Sequence, residues 1–138
     1  MKWLSYPFMF LCLLSFGFAC NNSDSGNYEN NKQSLLKTEN QNPLKFLTSQ
    51  IESKINLLGD VVLDGKISNA ATLAIYKDIK IHVDYMSKTN TVLGSDEQTI
   101  MEFIKPGESI DIKLKFPGYK GTKSVNFKII SASAETSN

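Results

Sequence analysis

The sequence predicts an all-β protein, built as one antiparallel β-sandwich of six or seven short strands. From Leu44 onward, apolar and polar residues alternate with a period of two, as in strands that bury one face. Turn-forming residues separate these runs at short intervals, and no convincing long helix interrupts them. Short, evenly punctuated strands of this kind are typical of a sandwich.

The strongest strand predictions come from three segments of strict alternation, residues 79–85, 110–116 and 125–129. Weaker patterns predict a first strand over residues 46–54 and a second over residues 61–67. Within the second strand, Gly65 marks a bulge or, together with Asp64, a turn. A further short strand is expected with Thr99, Met101 and Phe103 on one face.

Turn chemistry predicts where these strands connect. Residues 88–90 are expected to form a hairpin turn between Met86 and Val92. Pro106-Gly107 predicts a turn before Glu108, and Pro117-Gly118 with Gly121 predicts another.

The N-terminal residues predict an export signal, residues 1–19. Lys2 supplies a positive start, residues 3–18 are almost wholly apolar, and Ala19 is a small residue at the cleavage position. A helix of 16 residues reaches only about 24 Å, whereas a bilayer core of about 30 Å needs about 20 residues. A retained membrane helix and an ordinary secretory signal are the alternatives.

The residues Gly17-Phe18-Ala19-Cys20 resemble a bacterial lipobox, although Gly17 stands where Leu is usual. The resemblance implies that Cys20 carries acyl chains, palmitate among them, and that these anchor the protein in a membrane. Asn21 does not look like a retention signal, which favours the outer membrane, on its periplasmic or its surface face. Residues 20–42 are rich in Asn, Ser, Gln, Lys and Glu and are predicted to form a flexible polar tether, with a short helix over residues 33–39 as an alternative. The domain is expected over residues 43–133, followed by a disordered tail, residues 134–138.

Composition excludes some classes of function. All 15 basic residues are Lys and there are 14 acidic residues, so a basic face of the kind that binds nucleic acid is not expected. Cleavage after Ala19 would remove Cys12 and leave Cys20 to the lipid, so that no disulfide is expected.

Five short motifs follow one another along the domain: Leu63-Asp64-Gly65-Lys66-Ile67-Ser68-Asn69, Tyr76-Lys77-Asp78-Ile79, Val83-Asp84-Tyr85, Leu93-Gly94 and Lys105-Pro106-Gly107-Glu108-Ser109. In this order they resemble the FxLYD-like family of small immunoglobulin-like or fibronectin-like domains in bacterial envelope proteins, over residues 57–132. The resemblance implies an immunoglobulin-like sandwich of about seven strands and offers no catalytic residues. Residues 70–75 are longer and more apolar than the family pattern.

No catalytic or metal site is predicted, and no cofactor is expected. His82 is the only histidine, and with Asp78 and Asp84 it is read as part of a solvated strand face because a metal needs three or four convergent ligands. Asp60, Asp64 and Glu102 lack the spacing of a calcium loop. We therefore expect a protein without enzymatic activity.

Three hypotheses of function remain from the sequence. The first is a lipid-anchored module that binds an envelope protein or assists assembly, and the main alternative is a lipoprotein that binds a glycan or another small molecule. The third is an accessory role beside a hydrolase. A solute binder should have a concave pocket with convergent polar groups, whereas an assembly module should have an exposed apolar patch or an open strand edge. The candidate contact residues lie in three loops and are Asn69, Thr72, Lys88, Asn90, Tyr119, Lys120 and Lys123.

The last third of the chain is rich in lysine. A surface for acidic glycans or headgroups is one interpretation, and charges that keep polar strand faces soluble are the favoured one. The residues concerned are Lys113, Lys115, Lys120, Lys123 and Lys128.

Overall fold

A computed structural model describes residues 25–135, so the predicted signal, Cys20 and residues 136–138 lie outside the described part. Two helices precede six strands. The elements are α1 (Ser25–Gln41), α2 (Pro43–Phe46), β1 (Leu47–Ile55), β2 (Val61–Asn69), β3 (Tyr76–Met86), β4 (Val92–Ile100), β5 (Ser109–Phe116) and β6 (Ser124–Ala134).

The strands form two antiparallel sheets of three strands each, with the orders β1-β2-β5 and β4-β3-β6. Their inward side chains form one hydrophobic core in which Leu63, Ile81 and Val83 are fully buried. The prediction of a mostly antiparallel β fold with a sandwich-like arrangement is therefore confirmed at this level.

Because the strands are antiparallel, the connections between them lie at two opposite ends of the sandwich. The β1–β2, β3–β4 and β5–β6 connections lie at one end of the sandwich. Helix α2 and the β2–β3 and β4–β5 connections lie at the other end. Residues far apart in sequence are thereby brought together at each end.

The strand predicted around Thr99 is wrong in extent and in phase. That segment and the second arm of the hairpin after Met86 form one strand, β4, so six strands are described rather than about seven. Met101 and Phe103 are exposed, whereas Ile104 is buried. The reason is a bridge in which Ile104 and Tyr76 exchange two backbone hydrogen bonds of 2.8 and 3.1 Å, which turns Ile104 inward.

Gly65 lies in neither a bulge nor a turn, because the register of β2 runs unbroken through it on both sides. A Cβ atom at this position would collide with the backbone of Gln50 and Ile51 in β1. The glycine therefore allows β1 to approach β2 closely.

The segment between the predicted signal and the domain is helical over α1, which includes the residues 33–39 considered for a short helix. Its end joins the domain, since Glu39 is buried there. At the other terminus, Glu135 donates its N–H to the Ile75 carbonyl and pairs with Lys77. The ordered domain thus extends on both sides of the predicted residues 43–133.

Candidate functional site

The structure divides the predicted contact residues between the two ends of the sandwich. Lys88, Asn90, Tyr119, Lys120 and Lys123 lie at the end formed by the β1–β2, β3–β4 and β5–β6 connections. We call this end, residues 56–60, 87–91 and 117–123, the tip face. Asn69 and Thr72 lie at the opposite end.

The β1–β2 connection at the tip face is a turn held by one side chain. The Asn56 Oδ1 atom accepts hydrogen bonds of 2.9 Å from the backbone N–H groups of both Leu58 and Asp60, and Asn56 Nδ2 donates to the Asp60 carboxylate at 3.0 Å. Gly59 donates its N–H to the Asn56 carbonyl and adopts a positive φ of 86°. The turn is therefore internally satisfied and well defined.

This turn projects two leucines into solvent. Leu57 is 107% exposed and Leu58 is 85% exposed, which are extreme values for large aliphatic side chains. A single exposed leucine is ordinary, whereas two adjacent exposed leucines on a fixed turn form a small apolar patch in solvent. These two leucines are not among the predicted contact residues, although Asn56-Leu57-Leu58-Gly59 places them inside a turn signal.

The β5–β6 connection of the tip face touches the β1–β2 connection and also packs on strands β3 and β4. Gly118 packs so closely on the Gly59 carbonyl that a side chain at position 118 would not fit. Tyr119 lies over Gly94, and its ring centroid is 4.8 Å from that of Tyr85 with an interplanar angle of 43°. One side of the Tyr119 ring is therefore packed against the sheet β4-β3-β6, while the side chain remains 44% exposed at the tip face.

The tip face is positively charged. Lys88, Lys120 and Lys123 are exposed and form no ion pair with any described carboxylate. The one acidic residue of these connections, Asp60, is 2.8 Å from Lys115. Hydrogen bonds from Lys115 and Asn56 hold the pKa of Asp60 below its ordinary value, so this carboxylate stays ionised and paired.

The opposite end is held together by a buried carboxylate. Glu39 of α1 is 1% exposed and accepts backbone hydrogen bonds of 2.7 to 2.9 Å from Thr72, Leu73 and Ala74. Burial raises the pKa of Glu39, but the three N–H donors outweigh it and leave the pKa lowered. The Tyr76 hydroxyl donates to the Glu39 carbonyl at 3.0 Å, and burial, followed by the charge of Glu39, raises the pKa of Tyr76 to about 12.

Asn69 is also structural in this arrangement. It is 1% exposed, donates to the carbonyls of Ala74 and Ile104 at 2.8 and 2.9 Å, and accepts from the Ala71 N–H at 2.8 Å. Its side chain is fully used inside the protein and does not face a partner. Thr72 keeps an exposed side chain but has its N–H bound to Glu39.

The structure brings His82 beside Asp84 but does not bring Asp60, Asp64 and Glu102 together. His82 Nε2 is 3.0 Å from Asp84 and its Nδ1 is 3.2 Å from Glu97, on the outer face of the β4-β3-β6 sheet. Within residues 25–135, no cluster of His, Cys, Asp or Glu has the geometry to hold a metal ion. Asp60 and Glu102 lie at opposite ends of the sandwich.

The lysines of the last third do not form one surface. Lys113 and Lys115 lie on the sheet β1-β2-β5, Lys128 lies on the sheet β4-β3-β6, and only Lys120 and Lys123 belong to the tip face. The basic surface is therefore smaller than the sequence suggests, but it coincides with the exposed leucines.

Two of the grooves in the described part of the chain lie beside the helices, away from the tip face. One, of about 370 Å³, lies between α2 and β6 and is lined by residues that include Pro43, Leu44 and Ile130. A second, of about 290 Å³, lies between α1 and the β2–β3 connection near Tyr28 and Leu73. Neither has the convergent polar groups expected of a solute site.

Comparisons with models of protein families, with curated proteins and with solved structures give no match to this chain. The similarity to FxLYD-like domains thus stays a prediction from the motifs. Within the described residues, no helix has the length and apolar character needed to cross a bilayer.

Proposed function

We propose that this chain is a non-catalytic binding module of the bacterial cell envelope, and that it contacts a protein partner through the tip face. The observation that carries the proposal is the exposure of Leu57 and Leu58 on a turn that Asn56 holds in place. Exposed apolar side chains on a fixed turn are ready to enter a partner's pocket without a further ordering cost. The sandwich is the scaffold, and the connections carry the contact.

The strand order supports an immunoglobulin-like scaffold. Sheet β1-β2-β5 corresponds to strands A, B and E of that fold, and sheet β4-β3-β6 corresponds to strands C′, C and F. Partner contacts at the ends of such sandwiches are common, which agrees with a contact surface built from the three connections.

The position of the tip face also supports the proposal. The chain enters the sandwich at the opposite end, through α2. Attachment by lipid at Cys20, which is part of this proposal, would leave the tip face uncovered. A partner with an apolar pocket and an acidic rim would complement Leu57, Leu58 and the nearby lysines.

A pull-down of the tagged full chain from the cells that produce it tests the contact surface. We expect the variant Leu57→Asn/Leu58→Asn to recover at least tenfold less partner than the wild type, because both apolar anchors are lost. The matched control is Met101→Asn/Phe103→Asn, which replaces two exposed apolar residues at the opposite end and should leave recovery unchanged. Equal loss with both variants would contradict the proposal.

The anchor has its own test. Radiolabelled fatty acid should be incorporated into the wild-type chain and not into Cys20→Ala. Label retained by Cys20→Ala would contradict lipidation at this residue. That result would not bear on the tip face, which the pull-down tests separately.

A further inference from the structure

Strand β6 has an outer edge with which no described residue pairs. It pairs with β3 alone, and α2 approaches only its second half, near Ile130, Ser131 and Ala132. The first half, residues 124–129, therefore presents a free row of backbone donors and acceptors.

The core beside β6 is less covered than the core beside β5, although both are edge strands. Of the inward residues of β5, Ile112, Leu114 and Phe116 are buried and Ile110 is half-buried. The inward residues of β6, Val125, Phe127 and Ile129, pack against the same core but are only half-buried. An additional strand next to β6 would cover them.

β6 also lacks the charges by which edge strands avoid pairing. β1 carries Glu52 and Lys54, β4 carries Asp96 and Glu97, and β5 carries Asp111, Lys113 and Lys115. β6 is longer than any of them, with 11 residues, and has one charge, Lys128. Of the four edge strands described, β6 is the one least protected against pairing.

From these observations we propose that β6 pairs with β6 of a second copy of this chain, antiparallel and about a two-fold axis at Phe127. Directly opposed residues in an antiparallel pair lie on the same face, so this register places Val125 opposite Ile129 of the second copy. It also places Lys128 opposite the neutral Asn126 of the second copy. Moving the two-fold axis by one residue, to position 128, would oppose the two Lys128 side chains, and this charge repulsion disfavours that alternative.

The pairing joins two three-stranded sheets into one six-stranded sheet in which the two tip faces point in opposite directions. Two lipid-anchored copies would then lie with their strands along the membrane. The dimer does not depend on the proposed partner of the tip face.

The test is the sedimentation of the full chain in a mild non-ionic detergent. The wild type should sediment as a dimer. Asn126→Lys should weaken the dimer roughly tenfold or more, because it creates two Lys–Lys oppositions per dimer at up to about 1 kcal/mol each. Asn126→Gln is the matched neutral control and should remain dimeric.

A charge swap tests the register itself. The double variant Asn126→Lys/Lys128→Glu replaces the repulsion by two Lys–Glu pairs and should restore the dimer. Thermal melting should show that all variants are folded, since positions 126 and 128 are exposed. A monomeric wild type, a dimer that Asn126→Lys does not weaken, or a double variant that stays monomeric would each overturn the proposal.

Discussion

The two ends of the sandwich each depend on an asparagine that makes three side-chain hydrogen bonds, with opposite results. Asn56 closes a short turn at the tip face and leaves Leu57 and Leu58 in solvent. Asn69 links the β2–β3 and β4–β5 connections and is itself buried. An asparagine side chain thus holds an exposed turn at one end and joins two connections through a buried network at the other.

The difference follows from where the bonded partners lie in the sequence. The partners of Asn56 are at most four residues away, so the side chain orders only its own turn. Asn69 reaches Ile104, 35 residues further along the chain, and therefore fixes how two connections meet. A local network costs little to lose, whereas a long-range buried one holds the fold together.

The largest effect is expected at Asn69. Asn69→Ala would leave the Ala74 carbonyl and the Ala71 N–H buried without the partner that Asn69 supplies, at about 1–3 kcal/mol each. It would also remove one of the two hydrogen bonds to the Ile104 carbonyl, which keeps the Tyr76 N–H. We expect a loss of at least about 3 kcal/mol in the free energy of unfolding, measured by urea denaturation. A loss of unfolding free energy below about 1 kcal/mol would contradict a structural role for the buried Asn69 network.

A somewhat smaller loss, about 2 kcal/mol, is expected for Glu39→Gln, which removes the charge that accepts three backbone N–H groups. The folded pKa of Glu39 is lowered, so its contribution is present above the ordinary value of 4.5 and is lost as the pH falls through the lower folded pKa. The difference in unfolding free energy between the wild type and Glu39→Gln should therefore shrink as the pH is lowered from about 5 through the folded pKa of Glu39. A difference that stays constant with pH would contradict an ionised Glu39.

Gly65→Ala should cost about 1–3 kcal/mol, because the new Cβ meets the backbone of Gln50 and Ile51 and forces β1 away from β2. Gly26→Ala in α1 is the control, since nothing lies within 4 Å of that position and alanine favours a helix. Chemical denaturation should show a lower free energy of unfolding than the wild type for Gly65→Ala and a higher one for Gly26→Ala. Equal stability would mean that the two strands are not as close as described.

The smallest effect is expected at the tip face. Asn56→Ala should lower the free energy of unfolding by only about 1 kcal/mol, since the turn is accessible to water. It should nevertheless weaken partner binding, because Leu57 and Leu58 lose their fixed presentation. A stability loss as large as that of Asn69→Ala would abolish the distinction between the two ends.

Alternation in the sequence was sufficient to predict β3, β5 and β6, because each has long runs with one apolar face. It failed near Thr99, where two interleaved sets of apolar residues fit a strand equally well and only the pairing of Ile104 with Tyr76 selects one. Sequence patterns describe the period of a segment, but not which distant segment pairs with it.

The proposed contact surface was anticipated only in part. The loops that carry Lys88, Asn90, Tyr119, Lys120 and Lys123 lie at one end of the sandwich, but Leu57 and Leu58 were not anticipated, because leucine in a strand-rich chain is first assigned to the core. Glu39 lies in a polar segment, and its acceptance of N–H groups 33 to 35 residues away has no local signature.

The most direct test of the tip face is photo-crosslinking in the producing cells, with a benzophenone amino acid placed at Leu58 or, as the control, at Met101. Both positions are highly exposed, but only Leu58 lies on the tip face. We predict a discrete crosslinked protein from position 58 and none from position 101. The same adduct from both positions, or an adduct from position 101 alone, would contradict the assignment of the tip face as the contact surface.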